Sequence, residues 1–135
     1  YQRALEKYGR PPLPVMVHSP GHVAATDEQA KAEFWPRWRD IITAMAAERG
    51  FALPTEASFE RETGPHGALY VGSPETVAAK IAANLRVLGA TRFDLKYGMP
   101  GFTHDQLMSN IDLYGHQVIP RVKELLASGT AGVEG

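Results

Sequence analysis

Two hydrophobic periods run along the chain, one close to 2 and one close to 3.6, and they meet in the stretch Ala68–Gly98. There ALYVG reads as a short strand, SPETVAAKIAANLRVLG as a capped helix of about four turns, and ATRFDLKYG as a second strand, together one βαβ unit. Ser73 suits the N-cap, Pro74 the first helical position and Glu75 the helix dipole. Val77, Ile81, Leu85 and Leu88 form the expected buried stripe, Ala78 and Ala82 allow close approach to a sheet, and Gly89 ends the helix. From Arg92 to Tyr97 the period is 2, with Phe93, Leu95 and Tyr97 on one face and Arg92, Asp94 and Lys96 on the other. A parallel strand covered on both faces reads apolar throughout, so this pattern predicts an edge strand or one lining a polar cavity.

Before this unit, Tyr1–Tyr8 reads as the tail of a helix stopped by Gly9, and Leu13–His18 as a buried strand ending near His18, with Ser19-Pro20-Gly21 as a turn. Thr26-Asp27-Glu28-Gln29 has the form of a capping box, and Ala30, Phe34, Trp38, Ile41 and Met45 give the stripe of the helix it starts. Pro36 predicts a kink or restart after Ala32, and Gly50 the end. Pro54 and Thr55 open a shorter helix to about Glu62, so Thr26–Glu62 reads as a helical insertion between strands. After the unit, Thr103-His104-Asp105-Gln106 repeats the capping-box form. Leu107, Ile111, Tyr114, Val118, Val122 and Leu125 follow as a stripe, with a bend at Gly115 and Pro120. Residues 1–126 are expected to form the structured part and 127–135 a flexible tail.

Composition narrows the field. With 135 residues and 44% hydrophobic content the chain has enough material for a core. The net charge of -1 and the lack of basic clusters argue against nucleic acid as a partner. No run approaches the roughly 20 apolar residues of a membrane span, and no signal peptide opens the chain. No cysteine is present, so disulfides, thiolate metal sites and cysteine nucleophiles are excluded, and a cytoplasmic location is expected. The chain begins without methionine inside a helical pattern, so its start reads as a cut.

Candidate chemistry is sparse. The Gly72-Ser73-Pro74-Glu75 helix start either caps the helix alone or holds an anion, which Glu75 opposes. The five histidines show no metal-ligand spacing, and Pro20-Gly21 between His18 and His22 removes the helix face that such a pair needs. His18, at a strand end, either satisfies itself locally or lines a pocket. Asp94 and Lys96 either form a local ion pair or leave Lys96 and Tyr97 facing a ligand. Phe34 and Trp38 fall on a packing stripe, while Trp35 lies off it and is open to another subunit. Ser-His-Asp, Gly-x-Ser-x-Gly and dinucleotide glycine patterns are missing.

At Val71-Gly72-Ser73-Pro74-Glu75-Thr76-Val77-Ala78, followed by Gly89 and Phe93-Asp94-Leu95, the chain resembles the C-terminal region of luciferase-like flavin-dependent monooxygenases. His18-Ser19-Pro20-Gly21-His22-Val23-Ala24, leading into Thr26-Asp27-Glu28-Gln29-Ala30, resembles a subgroup of flavin-dependent oxidoreductases within that family. The resemblance runs from Tyr1 to about Leu126. It implies an α/β fold that is the C-terminal part of a (β/α)8 TIM barrel. It further implies FMN, or F420 in some branches, at the mouth of the strands, and a small organic substrate that is oxygenated or exchanges a hydride. By strand position the cofactor-binding candidates are His18, Ser19, Lys96 and Tyr97; no catalytic residue and no metal ligand is assigned. Most of the flavin pocket, including the phosphate grip, would belong to the part of such a barrel that precedes these residues. The 135 residues alone are therefore expected to be inactive, to bind no flavin, and to associate as a homo-oligomer through open sheet edges. The alternative is a non-catalytic α/β binding or assembly module.

Overall fold

The computed structural model describes residues 1–129, and the strand that organises it is β1, Met16–Val23. Around it stand α1 (Gln2–Tyr8), α2 (Asp27–Arg49), α3 (Glu56–Thr63), β2 (Tyr70–Gly72), α4 (Pro74–Leu88), β3 (Arg92–Lys96), α5 (His104–Leu113) and α6 (Ile119–Ser128). The sheet is parallel with order β2-β1-β3. β1 pairs with β3 from Met16 to Pro20 and with β2 from Gly21 to Val23. β2 and β3, the two strands of the Ala68–Gly98 unit, therefore do not touch as neighbours; β1 lies between them.

This corrects the expected strand. β1 starts at Met16 rather than Leu13 and continues through Ser19-Pro20-Gly21, where a turn was expected. Only its last three residues are buried; Met16 and His18 are exposed. Pro20 is tolerated because it falls where pairing passes from β3 to β2. Gly21 is required by packing: a Cβ there would overlap the Tyr70 carbonyl oxygen and come within 2.6 Å of Leu95. β3 lies at an edge of the sheet among the described residues, one of the two placements its charged face predicts.

Local chemistry sets the helices as expected in most places. Gly9, Gly50 and Gly89 are left-handed C-caps, and Ser73, Thr26 and Thr103 are N-caps. Thr103 and Gln106 complete a reciprocal box, whereas Gln29 does not reach back to Thr26; its amide donates instead to Glu33 at 2.9 Å. α2 runs through Pro36 without a break. The carbonyl that loses its partner there belongs to Ala32, which is exposed to water. The bend expected at Gly115 and Pro120 is a π-helical turn, Tyr114–Val118, which joins α5 to α6. Ile111 is exposed, and Asn110 is the buried residue on that face; Leu88, in the last turn of α4, is also exposed. α6 reaches Ser128, and residues 130–135 of the expected tail lie outside the described residues.

Both sheet faces are covered at the β2 side. On one, Val77, Ala78, Ile81 and Leu85 of α4 pack with Val23, Tyr70 and Val118. On the other, Ala30 and Phe34 of α2 pack with Phe59, Leu69 and Val71. The half-buried Trp35 ring packs within the chain, 5.1 Å from Phe59 and 5.9 Å from Trp38. Lys80 is buried on α4, and its Nζ donates to the carbonyls of Gly64 at 2.6 Å and Leu69 at 2.7 Å. It thereby fixes the loop that follows α3, and burial lowers its pKa to about 8.

Replacing Gly21 with alanine forces β1 away from β2 and should cost about 3 kcal/mol. Gly115→Ala, where nothing lies within 4 Å, should change stability by less than about 1 kcal/mol. Urea unfolding followed by tryptophan fluorescence separates the two.

Candidate functional site

Ligands of parallel α/β folds bind beyond the C-terminal ends of the strands, and the polar residues there fall into two groups. The first lies on the open part of the sheet. His18 pairs in register with Asp94 and Pro20 with Lys96, so His18, Asp94 and Lys96 share a face. Ser19 is in register with Leu95, whose side chain packs into the α4 core, so Ser19 belongs to the opposite face. Tyr97 lies one residue past β3 and is 37% exposed. His18 and Lys96 thus share one face of the sheet, Ser19 takes the other, and Tyr97 lies just beyond the strand end. Asp94 pairs with Arg92 at 3.0 Å rather than with Lys96.

The second group was not singled out from the sequence. His22 follows Gly21 in β1 and is 1% exposed. Its Nε2 lies 2.6 Å from Glu33 of α2, and its ring stacks on Phe102 with centroids 4.5 Å apart. Burial pushes the imidazole pKa down, beyond what the Glu33 hydrogen bond restores. Burial also pushes the Glu33 carboxyl up, but hydrogen bonds from Gln29 and His22 outweigh it and hold the group below its ordinary value. The pair is therefore a neutral imidazole donating Nε2–H to a carboxylate. Arg37 braces the arrangement: it lies 5.0 Å over Phe102 and donates to the carbonyls of Gly101 and Glu33. On the far side Asn110 of α5 accepts the Val23 N–H at 2.6 Å, standing where β3 has ended and no strand is left to do so. The usable signal in the sequence was a histidine in strand register with an apolar Val23-Ala24 next to it and a glutamate beside Phe34 on the following stripe.

The helix start at Ser73 holds an anion of the chain's own. Asp27 accepts the Ser73 N–H at 2.6 Å and the Thr76 hydroxyl at 3.0 Å, and the Ser73 hydrogen bond holds its carboxyl below the usual range. Gly72 makes room, since a Cβ would stand 2.7 Å from that carboxylate. Glu75 is turned outward to Arg121 at 2.8 Å.

The described residues thus form a short parallel sheet with helices on both faces, an α/β arrangement. No protein-family model matches the chain, and no curated protein matches it in sequence. Among solved structures it is similar to the monooxygenase RslO1 from Streptomyces bottropensis, with a TM-score of 0.70 and 17% identity over 89% of this chain and 35% of that one. It is also similar to the oxygenating constituent of 3,6-diketocamphane monooxygenase from the CAM plasmid of Pseudomonas putida, a type II Baeyer–Villiger monooxygenase in complex with FMN. There the TM-score is 0.56 and the identity 22%, over 90% of this chain and 38% of that one. The chain thus shares its fold with about one third of each monooxygenase.

The His22 shift carries a sign. As pH falls past about 6.5 the unfolded chain takes up a proton on this residue while the folded imidazole still resists it, so stability declines with acidification in that window. The carboxyls of Glu33 and Asp27, held low, add their losses only at more acid pH. Urea midpoints compared at about pH 7.5 and about pH 5 should fall for the wild type and fall less for His22→Phe; equal slopes would refute the assignment.

Proposed function

We propose that these residues are the C-terminal part of a luciferase-like, flavin-dependent monooxygenase or oxidoreductase that acts on a small organic substrate in the cytoplasm. The observation that carries this is the structural likeness of nearly the whole chain to one third of two monooxygenases, one of them an FMN complex. In this reading β1 and β3, adjacent and parallel, are consecutive strands of a (β/α)8 barrel, and the free edge of β3 awaits the next strand.

FMN, with F420 as the alternative, would supply the redox chemistry: oxygenation of the substrate or hydride transfer. This chain's share is orientation and exclusion of water. His18 and Lys96, on the open face, and Tyr97, just past the end of β3, suit the polar edge of a planar ring. Ser19, a candidate by strand position, lies on the helix side and would act only through the sheet. The phosphate is not assigned to the Ser73 helix start, where the Asp27 carboxylate already sits. A parent chain containing these residues should carry flavin absorbance near 450 nm, a wavelength set by the cofactor. In that parent Lys96→Ala should weaken flavin binding about tenfold, the scale of one charge-assisted contact. The 135 residues alone should leave FMN fluorescence unquenched; stoichiometric binding by them would overturn the division of the site.

In isolation the chain should associate with its own kind. An apolar groove of about 560 Å³ between α4, β3 and α6 continues onto the open strand edge, a combination that favours association. Light scattering should report a homo-oligomer, and a monodisperse monomer would contradict this.

A further inference from the structure

Between α2 and the loop that leaves the C-terminal end of β3 lies an open groove of about 620 Å³. Loops at that end of parallel strands carry the ligand sites of α/β folds. The groove walls are mostly apolar, with Pro36, Ile41 and Ala44 contributed by α2 and Pro100 by the loop. Arg37 is the one cation among the described residues that line it.

That cation is held in place without being neutralised. The half-buried Arg37 donates its Nε–H to the Gly101 carbonyl at 3.1 Å and an Nη1 hydrogen to the Glu33 carbonyl at 2.8 Å. Its guanidinium lies 5.0 Å over the Phe102 ring. Both hydrogen bonds end on neutral oxygens. The carboxylates nearby are engaged elsewhere: Glu33 with His22 and Gln29, and Asp40, in the groove wall, with Arg39 at 3.0 Å. Among the described residues no carboxylate forms an ion pair with Arg37, and both hydrogens of Nη2 are left without a protein partner. A guanidinium already ordered on one side and unmatched in charge is preorganised for an anion, because the entropy of fixing the side chain is spent before binding.

We propose that this groove binds a small carboxylic acid with an apolar body, its carboxylate on Arg37 Nη2 and its hydrocarbon part along Pro36, Ile41, Ala44 and Pro100. The apolar walls give a hydrated inorganic ion nothing to bind, whereas they can bury the body of an organic acid. The site stands without a flavin; that the acid is the substrate of the parent enzyme rests on the flavin reading above. A phosphate ester offers the same kind of anionic oxygens, and the choice of probes separates the two.

Benzoate, benzamide, acetate and phenyl phosphate are titrated into the 135-residue chain while the NMR signals of the Arg37 Nε–Hε group and the Gly101 amide are followed. Benzoate should shift both saturably. Benzamide, the same shape without the charge, and acetate, the charge without the ring, should each bind about tenfold more weakly. Arg37→Lys keeps the charge but not the planar fork, and should weaken benzoate about tenfold at the Gly101 signal. Ala44 is exposed, so Ala44→Glu leaves the fold intact and sets a second carboxylate in the wall. It should weaken benzoate about tenfold and leave benzamide unchanged, which keeps the test decisive if Arg37→Lys fails to fold. Equal affinities for benzoate and benzamide, or wild-type benzoate binding by Ala44→Glu, overturn the proposal. Phenyl phosphate binding more than about tenfold tighter than benzoate gives the site to a phosphate ester and overturns the carboxylic acid. No shift with benzoate overturns the site and leaves the flavin reading to the absorbance measurement. A parent chain that binds benzoate but carries no flavin absorbance overturns the flavin reading and supports the site.

Discussion

β1 has a neighbour on each side but never along the same stretch: β3 flanks its first five residues and β2 its last three. The change of partner requires a point where the backbone can be approached closely from both directions. Pro20 and Gly21 provide it, one by withholding a donor at the handover and the other by presenting no side chain to the Tyr70 carbonyl. From that point His22 is carried into the interior, and Val23 is carried past the end of β3, where Asn110 can reach its N–H. The covered half of the sheet, the open half and the polar cluster between them all follow from this one crossing.

Two charged side chains then tie the helices to the sheet by the same physics with opposite sign. Asp27 answers the exposed N–H groups where α4 begins, and Lys80 answers carbonyls just past the end of α3. Each reaches across from another element, so each links segments that the sheet alone would leave loosely joined. This is why an anion-binding reading of Gly72-Ser73-Pro74-Glu75 and a capping reading are both partly satisfied. Ser73 caps its own helix while a distant carboxylate takes the remaining donor.

What was legible in the sequence is what depends on local chemistry. Gly9, Gly50 and Gly89 end helices because a left-handed residue needs no distant partner, and the alternation from Arg92 to Lys96 marks a strand with one charged face whatever lies beside it. Ser19-Pro20-Gly21 misleads for the opposite reason: its composition fits a turn, and only the spacing to Tyr70 and Leu95 makes it a strand. Asn110 takes the buried place expected for Ile111 because the Val23 N–H it satisfies is a tertiary fact. The His22–Glu33 contact joins a strand to a helix across eleven positions, a distance that no local period reports. His18, Ser19, Lys96 and Tyr97 come from strand position alone, which fixes the end of the sheet but not which face a side chain takes.

The sheet also has a history in time, since none of its pairings is local. Val23 meets a residue about 50 positions later, and Met16 one about 76 positions later. Closing the longer loop adds only about 0.4 kcal/mol of chain entropy over the shorter, but separations of this size slow the search for the pairing. On a ribosome adding about 5–20 residues per second, β1 emerges and waits roughly 2–10 seconds before β2 exists. Through that interval its apolar residues and both backbone edges stand uncovered, an opening for association with other chains.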